Sequence, residues 1–359
     1  MNGVTLKQGD EIYKYQLQSK LGGGEFGEVW LAYDKSVANL IAVKLMDSKK
    51  VKIIDRLNEA RIGNRLNHPN LVKVHYADVS NFNGVDIVII AMDYLPIGSI
   101  TNRLNSGNFL SIPQVIQCIT GVLRGLEYLH GLNMIHSDVK PSNILIGANG
   151  ESLLTDYGIT CYSPDSQPVP HKGFYMLHVA PETLLNNNVS FQTDIYQTGL
   201  TAFRLMNGIG LVQNRRDQVG TWNEYFEMVK QGVVSEQRDY LAFVPRSLKA
   251  VINKAIDPDP SRRFLSALDF RRALERINYP GYWTIDPVGH YLGEDATNNY
   301  LFEINPKGSR KFDFTAIKIS KKTGRSTRIT RFCGKNLSEN DLSSKKTAFM
   351  QSVVTGIMN

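Results

Sequence analysis

Apolar positions recur along this chain with two different periods, and each period predicts its own kind of element. Tyr13, Tyr15 and Leu17 alternate with polar residues up to Leu21, Val29 to Tyr33 is aromatic and β-branched, and Leu40 to Leu45 is a short apolar run. Such stretches predict strands. From Val51 to Leu66 the spacing turns helical through Ile54, Leu57, Ile62 and Leu66, weakened by Gly63. Leu71 to Tyr76 and Val85 to Ala91 predict two further strands around a polar turn at Asn81-Phe82-Asn83-Gly84. Ile112 to Leu132 predicts a long helix whose broad apolar face carries Val115, Ile119, Val122, Leu126 and Leu129. The turn cluster Asn278-Tyr279-Pro280-Gly281 suits a domain boundary. Beyond it, Tyr300 to Ile304, Phe312 to Ile319 and Ser326 to Phe332 predict an antiparallel appendage, with a hairpin turn at Lys322-Thr323-Gly324-Arg325 and a closing helix over Leu342 to Met358.

Composition narrows the class. Of 359 residues, 42% are hydrophobic and 21% charged, as in soluble globular proteins. No stretch reaches the roughly 18 apolar residues of a membrane helix, and the opening Met1-Asn2-Gly3-Val4-Thr5-Leu6 lacks the form of a secretory leader. A cytoplasmic location without a membrane partner is therefore expected. Cys118, Cys161 and Cys333 have no metal-ligand spacing and read as reduced thiols. The net charge of +7 is concentrated at one end: residues 280–359 hold 12 Lys or Arg against 7 Asp or Glu, a surplus of +5.

Candidate chemistry gathers in His136-Ser137-Asp138-Val139-Lys140-Pro141-Ser142-Asn143, and then in Asp156-Tyr157-Gly158. Phosphoryl transfer uses these groups: Asp138 to orient and deprotonate a hydroxyl, Lys140 to steady a γ-phosphate, Asn143 and Asp156 to hold Mg²⁺. Upstream, Gly22, Gly24 and Gly27 form a G-x-G-x-x-G pattern. A dinucleotide fold needs a helix after such glycines. Here a strand follows, which makes a hairpin suited to cover ATP phosphates. Lys44 lies within Leu40-Ile41-Ala42-Val43-Lys44-Leu45, where burial demands a partner.

In this order, from residue 13 to 277, the segments resemble the eukaryotic-type (Hanks-type) serine/threonine protein kinases. The resemblance implies an α+β, bilobal, protein-kinase-like fold. Its N-lobe would span 1–95, with five strands and one helix, and its C-lobe 96–278. A basic, β-rich C-terminal domain over 279–359 belongs to no family we recognise. ATP is the implied cofactor, with Mg²⁺ or alternatively Mn²⁺. Leu21, Gly22, Gly24, Gly27, Val29, Ala42 and Lys44 would line the nucleotide, Met92 would be the gatekeeper, and the backbones of Asp93 and Leu95 would meet adenine. Glu59, ahead of Asn67-His68-Pro69-Asn70, is the implied partner of Lys44. Asp138 would be the base, Lys140 the mark of the Ser/Thr class, and Asn143 and Asp156 the metal ligands. His136 reads as scaffold. Asp194 in Thr193-Asp194-Ile195-Tyr196-Gln197-Thr198-Gly199, similar to the family's Ser-Asp-Val-Tyr-Ser-Leu-Gly, would brace the catalytic loop, and Glu182 of Ala180-Pro181-Glu182 would pair with Arg263.

The chain departs from the family pattern in the loop's regulation and its substrate side. Ser137 replaces the arginine that pairs with an activation-loop phosphate, so activity independent of that phosphate is expected; His171 and Lys172 are only candidate substitutes. Phe174, Tyr175 and His178 occupy positions of the usual P+1 sequence, and Tyr157 replaces a phenylalanine. A pseudokinase scaffold presenting the basic domain to a partner is the rival reading, and a non-protein acceptor a third. A protein substrate is expected. Arg310, Lys311, Lys318, Lys321, Lys322, Arg325, Arg328 and Arg331 suit an acidic protein or nucleic acid, or a plain solvated face.

Overall fold

The computed structural model describes residues 5–24, 27–48, 52–104, 108–236, 239–286 and 288–358, apart from the side chains of Glu59 and Arg103 and the surroundings of Gly24. The chain opens with β1 (Glu11–Ile12), β2 (Tyr15–Gly24), β3 (Gly27–Asp34) and β4 (Asn39–Asp47), then α1 (Ile53–Arg65), β5 (Val74–Phe82) and β6 (Val85–Met92). Their strands form a six-stranded antiparallel sheet, β1-β2-β3-β4-β6-β5. Five were expected; the extra one is the two-residue β1, too short to show a period, which folds back on β2 through Tyr13 at φ 55°. Register puts Val29 opposite Lys44 opposite Ile90, and Ala42 opposite Met92. Facing residues in a ladder share a face, so these positions roof one side of the cleft.

The second part contains α2 (Ile112–Gly131), β7 (Met134–Ile135), β8 (Ile144–Ile146), β9 (Ser152–Leu154), β10 (Cys161–Tyr162), β11 (Val169–Pro170), α3 (Pro181–Asn186) and β12 (Asn188–Val189). It continues with α4 (Phe191–Asn207), α5 (Gly210–Val219), α6 (Trp222–Gln231), α7 (Arg246–Ala255) and α8 (Ala267–Glu275). Helix α2 starts with a capping box, Ser111 with Gln114, and buries Val115, Ile119, Val122, Leu126 and Leu129 as its periodicity predicts. Helix α4 is buried along most of its length. Such a helix is wrapped on all sides, so its side chains can act as internal braces.

The last part is β13 (Gly281–Ile285), β14 (Tyr291–Asp295), β15 (Asn298–Pro306), β16 (Phe312–Ser320), β17 (Ser326–Arg328), β18 (Gly334–Leu337) and α9 (Glu339–Thr355). The strands form an antiparallel sheet with β18 also on β16, and α9 lies against it. Its core joins Trp283, Tyr300, Phe314 and Phe349, with the Trp283 indole donating to the Met350 carbonyl at 2.9 Å. That core runs into the helical part. Phe109 meets Phe243 and Tyr291 with ring centroids 5.4 and 6.0 Å apart, and Gln351 Nε2 donates to the Ala242 carbonyl at 2.8 Å. Among the described residues no helix is long and apolar enough to cross a membrane.

Candidate active site

The loop between β7 and β8 delivers Asp138 to the cleft. Asp138 is 7% exposed; its Oδ2 accepts from Lys140 Nζ at 2.7 Å and Asn143 Nδ2 at 2.9 Å. Its Oδ1 is buried with no hydrogen-bond partner among the described residues. Burial pushes the Asp138 carboxyl up from the ordinary aspartate value, against the pull of Lys140. The same loop stays rigid through His136. Its Nδ1 accepts from the Asp138 N–H at 3.2 Å and its Nε2 donates to the Thr155 carbonyl at 3.2 Å, so the ring is held neutral. Burial lowers its pKa, as suits scaffold rather than base.

Lys44 and Asp156 meet across the cleft, Nζ to Oδ1 at 2.9 Å. Burial works against ionisation of Asp156, yet the Lys44 ammonium prevails and holds its pKa down to about 2. Asp156 sits at φ 68°, and Tyr157 follows it into the core. The Tyr157 hydroxyl donates to the Val72 carbonyl at 3.0 Å, and its ring lies by Gly63, whose absent side chain makes the room: a Cβ there would come within 3.1 Å of Tyr157 and 2.5 Å of Val74. Tyr157 thus joins the two lobes in place of a phenylalanine. Among the described residues no three His, Cys, Asp or Glu side chains form a cation cage. The donors present, an ionised Asp156 carboxylate and the Asn143 amide, suit a hard divalent cation that completes its shell with phosphate oxygens and water.

The roof is looser. Leu21 is 44% exposed, and Gly22 has open space where a side chain would stand. Gly24 pairs with Gly27 across residues 25 and 26, which lie outside the described residues. Gly27 is crowded: a Cβ there would lie 2.3 Å from the Leu45 carbonyl oxygen. At the hinge, the Asp93 N–H donates to the Lys73 carbonyl at 3.0 Å and the Leu95 carbonyl accepts from Gly98 N–H at 2.9 Å. The opposite groups, the Asp93 carbonyl and the Leu95 N–H, make no such bond among the described residues. Glu59 lies on α1, but its side chain is outside the described residues, so its pairing with Lys44 stays an expectation.

The activation segment, 156–182, is pinned by backbone pairing at several points. Strand β10 pairs with β7 and β11 with β12, and the Ser163 N–H donates to the Asn133 carbonyl at 2.8 Å. The two candidate substitute cations are otherwise engaged: Lys172 donates to the Thr160 carbonyl at 2.6 Å, and His171 Nε2 meets Asn187 Oδ1 at 2.7 Å. Tyr175 places its ring 4.5 Å from Lys140 Nζ. Below, Glu182 and Arg263 form the expected pair, bidentate at 2.9 and 2.8 Å. The remaining Arg263 donors go to the Asp257, Gln192 and Pro258 carbonyls. Asp194 accepts from the His136 and Ser137 N–H groups at 2.9 and 2.7 Å, bracing the loop as the resemblance implies. Gln197, Arg204 and the role of His178 escaped the sequence reading; the one signal was a glutamine where the similar family segment has serine.

The comparisons agree with this geometry. Residues 15–272 match the family model described as "Protein kinase domain". The Mycobacterium tuberculosis protein called serine/threonine-protein kinase PknA is 31% identical over 217 residues, covering 57% of this chain and 48% of that protein. Serine/threonine-protein kinase pakA of Dictyostelium discoideum is 31% identical over 211 residues, covering 57% of this chain and 17% of its own. Serine/threonine-protein kinase PknJ of Mycobacterium tuberculosis is 26% identical over 319 residues, covering 85% and 53%. The chain spans about half or less of the length of these relatives. A family match over most of the chain, together with a buried aspartate, its lysine and its asparagine on the expected loop, means that the chain belongs to the protein kinase domain family.

Proposed function

We propose that the chain transfers the γ-phosphate of ATP, with Mg²⁺, to Ser or Thr hydroxyls of protein substrates, and that it does so without a phosphate on its activation segment. The observation that carries the reading is Asp138 Oδ1, a buried carboxylate oxygen with no partner among the described residues, beside an Oδ2 fixed by Lys140 and Asn143. A buried acceptor of this kind is costly unless something donates to it. An acceptor hydroxyl can, and its proton then moves to Asp138 as the oxygen attacks. Lys140, 2.7 Å from the base, supplies positive charge next to the transferring group, and Lys44 supplies it at the other phosphates. Asn143 and Asp156 would hold the cation, which when bound neutralises phosphate charge. Phosphate-independent activity is supported by the segment's strand pairing and by Ser137, which offers no cation to such a phosphate.

Reduced Cys118, Cys161 and Cys333 suit a cytoplasmic setting. The exposed residues from Lys321 to Arg328 at the β16–β17 turn are the face we assign to an acidic partner. The test is label transfer from γ-labelled ATP to a basic acceptor protein, after phosphatase treatment of the purified chain. Asp138→Asn should lose about 10²- to 10⁴-fold in rate, with label on Ser and Thr in the wild type. Nucleotide binding with no transfer by the wild type would favour the scaffold reading. Activity that vanishes with phosphatase and returns with rephosphorylation in 159–175 would sink phosphate independence.

A further inference from the structure

We infer that Gln197 is a positioning residue for the catalytic base, ordering the backbone on both sides of Asp138 from within the chain's own core. The inference rests on the kinase reading above. Helix α4 presents Asp194, Gln197, Thr201 and Arg204 at spacings of three and four, which stack on one helical face. That face lies against residues 136–139. Gln197 is 1% exposed; its Nε2 donates to the Ser137 carbonyl at 2.8 Å and its Oε1 accepts from the Val139 N–H at 3.0 Å. The carboxamide therefore grips the backbone on both sides of Asp138.

The neighbouring contacts show why that grip matters. Ser137 sits at φ 69°, a left-handed conformation that a non-glycine residue holds only when its surroundings enforce it. Asp194 fixes the N–H groups of His136 and Ser137, and Asn143 fixes the Asp138 carbonyl at 2.9 Å. His178 Nδ1 donates to the Val139 carbonyl at 3.0 Å, while its Nε2 accepts from Arg204 Nη1 at 2.6 Å. Arg204 is anchored in turn on the Ile209 carbonyl at 2.9 and 3.1 Å. Without Gln197 the Ser137 carbonyl and the Val139 N–H lose these partners in a buried site. A serine there, the residue of the similar family segment, has one hydroxyl on a single carbon and cannot serve both groups. Ser137 itself carries no charge with which to hold a phosphate on the activation segment as an arginine would. The ordering is thus built into the chain's own core, where no modification is needed to complete it.

Gln197→Met keeps the side chain's bulk and removes both bonds; Gln197→Ser installs the family's residue, so a folding failure of one leaves the other to be read. Misplacement of a base by about 1 Å costs on the order of 10²-fold in rate. Both variants should lose roughly 10- to 100-fold in kcat, with the KM for ATP within about twofold, because roof and hinge are untouched. Exchange of the Val139 amide hydrogen should quicken in step. Thr201→Val, which removes only a 3.5 Å contact to the Val139 carbonyl, should stay within about twofold of wild type. A folded Gln197→Met with wild-type kcat, or a fall in kcat matched by an equal rise in KM for ATP, would overturn the inference while the kinase reading stands. A wild type that labels no acceptor would sink both.

Discussion

The floor and the roof of the cleft are built to opposite specifications. On the floor, the backbone around Asp138 is bonded to side chains from α4, the catalytic loop and the activation segment, and Asp138 is almost wholly buried. On the roof, Leu21 is exposed and Gly22 borders open space. In the proposed reaction the floor would hold one carboxylate oxygen in place for proton transfer, where small displacements cost large factors in rate. The roof must admit and release a nucleotide, and a few ladder bonds are enough for that. Rigidity is thus concentrated at the base and sparing over the phosphates.

This contrast can be broken at its strongest point first. Arg263→Met should destabilise the protein by about 3–5 kcal/mol, since it strands the partly buried Glu182 carboxylate; urea unfolding measures it, and Glu182→Leu added to it should recover part of the loss. Next, Gly63→Leu crowds Val74 and Tyr157 where floor and roof meet. It should cost about 1–3 kcal/mol and raise the KM for ATP, because Asp156 moves with Tyr157; an unchanged KM would show that the two are uncoupled.

A pH series sharpens the comparison further. Burial lowers the pKa of His136 and, with Arg204, takes that of His178 well below 6.5. Asp194, Asp138 and Asp156 face His136 and raise it, while the Val139 carbonyl raises His178 and Lys140 lowers it. In the unfolded chain both rings take a proton below about 6.5, and in the folded chain neither does until lower pH. Their contribution to stability is therefore complete above about pH 6.5 and shrinks as pH falls toward the folded values, by up to about 1.4 kcal/mol per unit for each ring. Urea midpoints should fall from pH 6.5 to 5, and His178→Gln should flatten the slope. The smallest effects belong to the roof: Gly22→Ala should change stability by no more than about 0.5 kcal/mol. Gly27→Ala, 2.3 Å from a backbone oxygen, should exceed it clearly and raise the KM for ATP.

Much of the floor was readable because its parts are close in sequence: Asp138, Lys140 and Asn143 lie within six residues, and their resemblance to the family's catalytic loop, backed by the other motifs in order, points to their chemistry. The Gln197 clamp joins groups 58 and 60 positions apart, and His178 with Arg204 spans 26, so no local pattern announces either. The C-terminal sheet shows another reason for silence. The expected Phe312 to Ile319 is β16 less its last residue, and Tyr300 to Ile304 is the middle five residues of β15. The strand expected over Ser326 to Phe332 stops at Arg328 before a 3-10 turn at Thr330–Phe332, and β13, β14 and β18 were missed. Gly293 looks like a turn residue, yet it is a strand residue beneath the Trp283 indole, where a Cβ would come within 2.9 Å of the ring. Strands of four or five residues with a glycine at the packing position carry no visible period.

The junction at Phe109, Phe243 and Tyr291 has a thermodynamic meaning. A continuous apolar core couples the helical part and the C-terminal sheet, so neither can melt without wetting the other's aromatic rings. The two should therefore unfold together in a single calorimetric transition, and a polypeptide ending at residue 278 should melt at a lower temperature than the full chain. In that sense the boundary expected after residue 278 divides the sequence pattern but not the cooperative unit.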